Sequence, residues 1–201
     1  MSKVISLDLE MNQPSNKIIQ IGYVIGDIRN GRIFEKKSLI VNPKEELGFV
    51  ETDKGMVHIC DFTGISEESI KNGIDLSEAY QIMCEDIIKH NPTRTVVQWG
   101  DGGPNSRGDH DEIRKQLNLT WAEFIFRTRS WDVKMIYQVY RAFNNKSVAS
   151  GLSSAMNHLN LEFSGRPHDA LDDAYNTFLC FCKIGKKMSR FDQIKGILDE
   201  N

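Results

Sequence analysis

The first third of the chain alternates and clusters apolar residues in a way that is typical of β-strands. One apolar run covers Val4–Leu9, a second Ile18–Ile28 and a third Ile33–Val41, and all are rich in Ile, Val and Leu. A turn signal at Arg29–Gly31 separates the last two runs, and Asn42-Pro43 closes the third. This pattern predicts an antiparallel meander of three strands.

Helical periodicity dominates the rest of the chain. Ser66 with two glutamates behind it favours a short helical turn, and Pro92 ends a longer apolar stripe. Thr95–Trp99 reads as a further strand. Helices are predicted over Leu76–His90, Asp109–Leu117, Trp131–Phe143, Gly151–Leu159, His168–Ile184 and Asp192–Leu198. Three strands of a meander come first, and helices alternate with strands after them. This order predicts an α/β fold with a mixed sheet flanked by helices.

The composition fits an ordinary globular protein. The chain has 201 residues, 40% hydrophobic and 26% charged, with a formal charge of −3. This length predicts one domain over residues 1–201. No apolar run approaches the roughly 18 residues that cross a bilayer, and the N-terminus carries early charges in place of a signal sequence. We therefore expect no membrane association and a cytoplasmic location, with the four cysteines reduced.

Charge is distributed unevenly along the sequence. Acidic residues dominate from Lys44 to Asp86, whereas Arg114–Lys146 contains seven Lys or Arg residues against Glu123 and Asp132. A basic stretch can guide a polyanion even when the total charge is negative, because the field at a groove depends on nearby charges. Solvated helix faces are the more common explanation for any one such stretch taken alone, so the pattern by itself does not establish nucleic-acid binding.

Two carboxylates end the first predicted strand. Asp8 and Glu10 alternate with Leu7 and Leu9, which places both acids on one face, about 7 Å apart along the strand, and both leucines on the other. Paired carboxylates on so apolar a strand are costly unless a cation neutralises them. Metal binding and surface charge both account for this pair.

A second group of polar residues stands at the start of the last long helix. Pro167 favours a helix start. His168 lies just before the first turn of this helix or in it, and Asp173 lies about a turn and a half further along. Ala170 and Ala174 are four residues apart and would let the helix pack closely on a sheet beside Asp173. A lone histidine at such a place is by itself more often a cap or core residue than a catalytic one.

These motifs together resemble a known family. The D-x-E pair Asp8/Glu10, an aspartate at the start of a middle helix, and His168 followed by Asp173 are similar to the DEDDh 3′–5′ exonuclease superfamily. The segments His58–Ile65 and Gly165–Asn176 resemble its Eri-type exoribonuclease branch. The resemblance extends from the first strand to about Phe181. It implies a ribonuclease H-like fold and 3′–5′ exonuclease activity.

The third acid of the family pattern is ambiguous here, because extra residues at 101–108 follow the strand. Three acids compete for the position: Asp101, Asp109 and Asp111. We choose Asp111, because Ile113 and Leu117 follow it at the spacing of a buried helix face, as in the family. Asp109 then reads as a helix N-cap, and Asp101 as a turn residue.

The resemblance also implies the chemistry. Asp8, Glu10, Asp111 and Asp173 would hold two Mg²⁺ or Mn²⁺ ions, with Glu10 and His168 as catalytic residues and His168 as the general base. The substrate would be single-stranded nucleic acid with a free 3′ end, RNA before DNA, and the products nucleoside 5′-monophosphates. An inactive nucleic-acid-binding module on the same fold, or a non-enzymatic interaction protein, is the alternative.

Substrate contacts follow the same resemblance. The family holds the terminal nucleotide with residues that correspond to Met11, Asn12 and Ile65. Trp99 is a candidate for stacking on a base or for packing, and Arg166 for a phosphate contact. Arg127 and Arg129 are candidates for steering the strand.

Overall fold

The structure is a computed structural model that describes residues 2–100, 107–144 and 151–188. The expected helix at Asp192–Leu198 and the acid Asp101 lie outside these residues. In chain order the elements are β1 (Lys3–Met11), β2 (Ile18–Asp27), β3 (Ile33–Ile40), β4 (Phe49–Thr52), β5 (Gly55–His58), α1 (Ile59–Thr63), α2 (Glu67–Lys71), α3 (Leu76–His90), β6 (Val96–Gln98), α4 (Asp109–Gln116), β7 (Trp131–Asp132), α5 (Val133–Phe143), α6 (Leu152–His158) and α7 (Ala170–Met188).

The main sheet has five strands in the order β3-β2-β1-β6-β7. The first three strands pair antiparallel, whereas β6 runs parallel to β1, and β7 parallel to β6. Gly31 adopts a left-handed φ of 77° in the β2–β3 turn, which explains the glycine at that position. The meander and the mixed sheet flanked by helices are both confirmed.

Each face of the sheet is covered by its own helices. On one face Leu7 and Tyr23 pack with Met83 of α3 and Ile113 of α4. On the other, Val24 packs with residues of α5, α6 and α7. Because both faces are covered, β2 is buried along almost its whole length, which matches its nearly unbroken apolar sequence. Among the described helices, none has the length and apolar character needed to cross a membrane.

The structure differs from the sequence predictions in several local elements. The hairpin of β4 and β5 and the short α1 were not anticipated, because the acidic stretch around them lacks an apolar repeat. Trp131 and Asp132 form a short strand in place of the first turn of the predicted helix, since they pair with Val97 and Gln98. Helix α7 begins at Ala170, because His168 before it has a left-handed φ of 65°.

Candidate active site

The carboxylates of β1 point to the face of the sheet that α7 covers. Leu7 and Leu9 are buried in the core on the opposite face, as the alternation predicts. Asp8 pairs with Gly22 of β2, and Glu10 pairs with Gln20. Glu10 is only 8% exposed, so its carboxylate lies largely out of contact with bulk water.

The first turn of α7 lies directly on these two strands. Gly22 leaves no space for a side chain, because a Cβ atom there would lie 2.0 Å from the carbonyl carbon of Ala170. Gln20 fixes the helix start: its Oε1 accepts the Ala170 N–H at 2.9 Å, and its Nε2 donates to Asp169 at 3.0 Å. Ala170 and Ala174 are fully buried, which confirms the close packing predicted from their size. This packing holds Asp173 beside β1.

A glycine controls the start of α4. Gly108 has a φ of 91°, and a Cβ atom on it would lie 1.5 Å from the side-chain nitrogen of the buried Gln98. The Gln98 oxygen lies 3.4 Å from Nδ1 of the buried His110. The end of β6 and the start of α4 are therefore locked together, and Asp109 becomes the first helical residue beside β1.

The structure brings Asp109, and not Asp111, to the cluster of acids. Asp111 is 4% exposed and forms ion pairs within α4, at 2.8 Å to Arg114 and 3.4 Å to Lys115. The charge of Asp109, by contrast, is among the largest of those that raise the pKa of Asp8 and Glu10, after burial in both cases. Asp111 as the third acid stays a prediction, and Asp109 is the alternative favoured by the ion pairs that Asp111 forms within its own helix.

His168 completes the cluster. Ligand atoms of Glu10, His168 and Asp173 all lie within 4.8 Å of one another. The His168 backbone N–H donates to Asp173 Oδ2 at 3.0 Å, and the imidazole packs against Phe62 of α1. A histidine between two carboxylates and an aromatic ring is placed both to exchange a proton and to keep a defined orientation.

The electrostatics of the cluster are set first by burial of the acids and then by repulsion between their like charges. Burial, followed by the charges of neighbouring acids, raises the pKa of Asp8 well above its ordinary range and that of Glu10 to about 8. Burial likewise raises the pKa of Asp109 to about 7 and that of Asp173 to about 6. Since oxygen ligands are those that Mg²⁺ and Mn²⁺ prefer, the donor set fits hard divalent cations.

Arg166 adds a positive charge near this site. Partial burial, followed by the charge of Arg166, lowers the pKa of His168. The same guanidinium lowers the pKa of Glu10, although by less than the surrounding acids raise it. A neutral imidazole is therefore favoured at neutral pH, and this is the protonation state that a general base requires.

Two of the predicted substrate contacts are held by other parts of the protein. The Asn12 side chain is 2% exposed, donates to Glu45 at 2.7 Å and accepts the Gly48 N–H at 2.8 Å. The Arg166 guanidinium donates to the backbone carbonyls of α1. Both groups therefore stabilise the walls of the site in this structure.

The three remaining predicted substrate contacts are buried to different extents. Ile65 is 8% exposed and packs in a small core with Ile19 and Ile59, whereas Met11 is partly buried against the main core. Trp99 is partly buried too, with its ring 6.0 Å from that of Tyr137. All three contribute to packing in the structure.

Arg127 and Arg129 lie away from the acids. They line a cavity with Thr95, which precedes β6, and the Arg127 N–H donates to the Arg94 carbonyl. Asp109 lies beyond the other end of β6, and β1 runs parallel to β6, so the acids and these arginines lie at opposite ends of the strands.

Comparison with known proteins identifies the family. The family described as Exonuclease (RNase_T) matches residues 5–181, and the chain therefore belongs to it. The chain is 24% identical to ERI1 exoribonuclease 2 of Mus musculus and 23% identical to that of Homo sapiens, over 88% and 85% of its own length. It spans only 28% and 25% of those two relatives. The resemblance to the DEDDh superfamily and its Eri-type branch is confirmed.

Solved structures share the fold. The chain aligns over 93% of its length with cell-death related nuclease 4 (CRN-4), which it covers to 64%, at a TM-score of 0.71 and 20% identity. It aligns over 92% with the nuclease domain of 3′hExo, a DEDDh family member bound to rAMP, covering 92% of that chain at a TM-score of 0.69 and 15% identity. The ribonuclease H-like fold is thereby confirmed.

Two further structures with this fold carry ligands. Pop2p of S. pombe, solved with Mg²⁺ and Mn²⁺, aligns over 92% of this chain and 84% of its own at a TM-score of 0.59 and 17% identity. E. coli exonuclease I, solved with a dT13 oligonucleotide, aligns over 96% of this chain and 43% of its own at a TM-score of 0.65 and 15% identity.

Sequence reasoning considered Asp109 but did not choose it, and it missed Gln20 and Phe62, which also build the site. For Asp109 a signal existed, because Arg114 and Lys115 follow Asp111 at the spacing of helical ion pairs and leave Asp109 as the acid outside that pairing. Gln20 and Phe62 gave no such signal, since their partners lie far away in sequence.

Proposed function

We propose that this exonuclease is a divalent-metal-dependent 3′–5′ enzyme that removes nucleoside 5′-monophosphates from single-stranded nucleic acid, with RNA favoured. One observation carries the proposal: ligand atoms of Glu10, His168 and Asp173 lie within 4.8 Å of one another, and the charges of Asp109 and Asp173 act on both Asp8 and Glu10. On this proposal residues 1–201 act as one exonuclease domain.

The metal requirement rests on the repulsion within the site. The four carboxylates lie at the end of β1, at the start of α4 and in the first turns of α7, and their burial, followed by their mutual repulsion, raises the pKa of Asp8 and Glu10. Such a cluster is unfavourable at neutral pH unless cations neutralise it. We propose that Asp8, Glu10, Asp109 and Asp173 hold two Mg²⁺ or Mn²⁺ ions.

The separate roles of the metal ions and of His168 follow from the positions of the side chains. Bound divalent ions would supply the positive charge that binds the scissile phosphate and lowers the pKa of the attacking water. His168, kept neutral by partial burial and by Arg166, accepts the proton of that water. The backbone bond from His168 to Asp173 keeps the imidazole near the carboxylates while it does so.

The preference for RNA is supported by the relatives. The curated relatives are named exoribonucleases, and the 3′hExo domain was solved with rAMP. E. coli exonuclease I, with the same fold, was solved with DNA, so a single-stranded DNA exonuclease is the second candidate. A contact to the 2′-hydroxyl would separate the two substrates.

The test is digestion of 5′-labelled single-stranded RNA and DNA of matched sequence with Mg²⁺, Mn²⁺ or chelator. The wild type should give a ladder that shortens from the 3′ end only with metal, whereas Asp8→Ala should lose it and His168→Ala should keep only a slow residual cleavage. Arg29→Gln, in the exposed β2–β3 turn, is the matched control and should cleave like the wild type. Binding without cleavage in every condition would favour the inactive binding module.

A further inference from the structure

His168 is held in an unusual backbone conformation. Its φ of 65° lies in the left-handed region, which non-glycine residues adopt at a cost. Such a conformation persists only where neighbouring contacts impose it. The described structure supplies one backbone contact for this residue, from its N–H to Asp173, and the orientation of the side chain therefore depends on what packs against the ring.

The ring that packs against His168 belongs to α1. The Phe62 and His168 rings have centroids 4.1 Å apart and an interplanar angle of 33°. Phe62 is partly buried in a small core with Ile59 and Ile70, and α1 is thereby anchored to the rest of the molecule. The imidazole thus lies between a fixed aromatic surface on one side and Glu10 and Asp173 on the other.

Arg166 joins the same two segments. It lies two residues before His168, and its Nη2 donates to the backbone carbonyls of Asp61 at 2.8 Å and Phe62 at 3.1 Å. These carbonyls belong to the end of α1, where a cation is favourable. Gly64 makes room for the guanidinium, because a Cβ atom there would overlap Arg166 Nη1.

The other end of the segment is fixed to α7. The Arg166 backbone N–H donates to Asp172 Oδ2 at 2.8 Å, and Asn176 bonds both the N–H and the carbonyl of Ser164. The segment that carries His168 is therefore bound by its backbone to α7 and by the Arg166 side chain to α1. The side-chain contact is the one that fixes the distance between His168 and Phe62.

We propose that Arg166 and Phe62 are positioning residues for His168: Arg166 draws the His168 segment onto α1, and Phe62 supplies the surface that orients the imidazole. This inference rests on the proposed exonuclease function and deepens it. It replaces the phosphate contact expected for Arg166 from the sequence, because the guanidinium donors facing α1 already bond the carbonyls of Asp61 and Phe62. A correctly oriented base raises the rate of proton transfer without changing substrate affinity.

A double-mutant cycle tests the kinetic claim. Arg166→Gln and Phe62→Leu are each made in the wild type and in His168→Ala, and kcat and KM are measured on short single-stranded RNA with Mn²⁺. In the wild type each change should lower kcat about 10- to 100-fold and leave KM within about threefold. In His168→Ala each should cost less than about threefold, since there is no imidazole left to orient.

Two variants separate positioning from general stability. Phe62→Tyr keeps the aromatic surface and should retain most of kcat, whereas Phe62→Leu should not. Arg29→Gln removes an exposed arginine far from the site and should change neither constant. Equal losses in the wild-type and His168→Ala backgrounds would overturn the proposal, and so would a rise in KM at constant kcat for Arg166→Gln, which would restore the phosphate contact.

An NMR measurement provides a readout that is independent of activity. A ring 4.1 Å away shifts the imidazole carbon-bound protons of His168, and this shift should shrink in Phe62→Leu and in Arg166→Gln. Mn²⁺ affinity by calorimetry should stay within about threefold of the wild type, because neither residue is a proposed ligand. If the wild type cleaves nothing, the proposed function fails. An unchanged imidazole shift in Arg166→Gln would overturn the positioning role specifically.

Discussion

The backbone of Ala170 lies so close to Gly22 that a β-carbon on Gly22 would stand 2.0 Å from the Ala170 carbonyl carbon and 2.2 Å from the Leu171 nitrogen. Gly22 is also the strand partner of Asp8. The same close approach therefore packs α7 onto the sheet and carries Asp173 to the first pair of acids. A single missing side chain in β2 controls the geometry of the site.

Gly22→Ala should consequently damage both stability and activity. The added methyl would meet backbone atoms, which cannot rotate away, so α7 must shift; we expect a loss of about 2–4 kcal/mol in the free energy of unfolding. Chemical denaturation measures it. Gly185→Ala, at an exposed position in α7 with open space around it, is the control and should stabilise the protein by about 0.5–1 kcal/mol. A Gly22→Ala variant as stable as the wild type would contradict this packing.

The role of Gly22 shows where prediction from sequence ends. Strands β1 to β3 and helix α3 could be predicted from the local spacing of apolar residues, because this spacing depends on whether one or both faces of an element are buried. Glycine at position 22 looks like any other strand residue until the helix that packs on it is known. Long-range contacts of this kind, including Gln20 with Ala170 and Phe62 with His168, leave no periodic trace.

The acids of α4 provide a second prediction. Asp109→Asn should lower kcat at least about 100-fold and weaken Mn²⁺ binding, because it removes a proposed ligand. Asp111→Asn should keep kcat within about threefold and instead lower the Tm, because it leaves Arg114 without its buried counter-charge, whereas Lys115 keeps its ion pair with Glu112. Calorimetry with Mn²⁺ and a thermal melt measure the two effects. The reverse pattern would restore Asp111 as the ligand.

The sequence favoured Asp111 over Asp109, which we propose as the ligand, for a physical reason. The buried face of a short amphipathic helix identifies which positions face the core, and Asp111 is indeed buried. Burial alone does not distinguish a carboxylate that faces a metal site from one that is neutralised by Arg114 on its own helix. Helical ion-pair spacing makes that distinction, since it accounts for the charge of Asp111 and leaves that of Asp109 outside the pairing.

The repulsion among the acids predicts the pH dependence of stability without metal. Burial and neighbouring charges raise the pKa of Glu10 to about 8 and that of Asp173 to about 6. At these carboxylates the folded state thus binds more protons than the unfolded chain between about pH 4 and 8, so their contribution to the free energy of unfolding falls as the pH rises through that window. In chelator the Tm should fall from about pH 5 to 8, and Mn²⁺ should recover it most at the alkaline end.

A matched pair of glutamate variants tests the source of this dependence. Glu10→Gln removes one of the mutually repelling charges, so it should raise the Tm in chelator at about pH 8, flatten the pH dependence and reduce the gain from Mn²⁺. Glu162→Gln, at an exposed position before α7, should do none of these. A Tm in chelator that rises with pH in the wild type would show that the acids are already compensated within the protein.

A polar network on the other face of the sheet predicts the opposite sign. Asp86 of α3 is 7% exposed and accepts from the buried Tyr23 hydroxyl at 2.6 Å and from Lys37 Nζ at 2.5 Å. Burial raises the pKa of Asp86, but the hydrogen bonds from Lys37 and Tyr23 outweigh it and hold the pKa below its ordinary value. The ionised form therefore stabilises the fold above about pH 4, and this contribution is lost as the pH falls through the lowered pKa.

Asp86→Asn should accordingly destabilise the protein by about 1–3 kcal/mol at neutral pH, because Lys37 loses its counter-charge and the Tyr23 hydroxyl a charged acceptor. The difference from the wild type should shrink below about pH 4, where the wild-type carboxylate itself becomes protonated. Urea denaturation of both proteins, at neutral pH and below about pH 4, measures this difference in the free energy of unfolding. Glu67→Gln, which breaks an exposed helical pair with Lys71, should have a much smaller effect. A penalty for Asp86→Asn that is equal at both pH values would mean that packing, and not charge, makes Asp86 important.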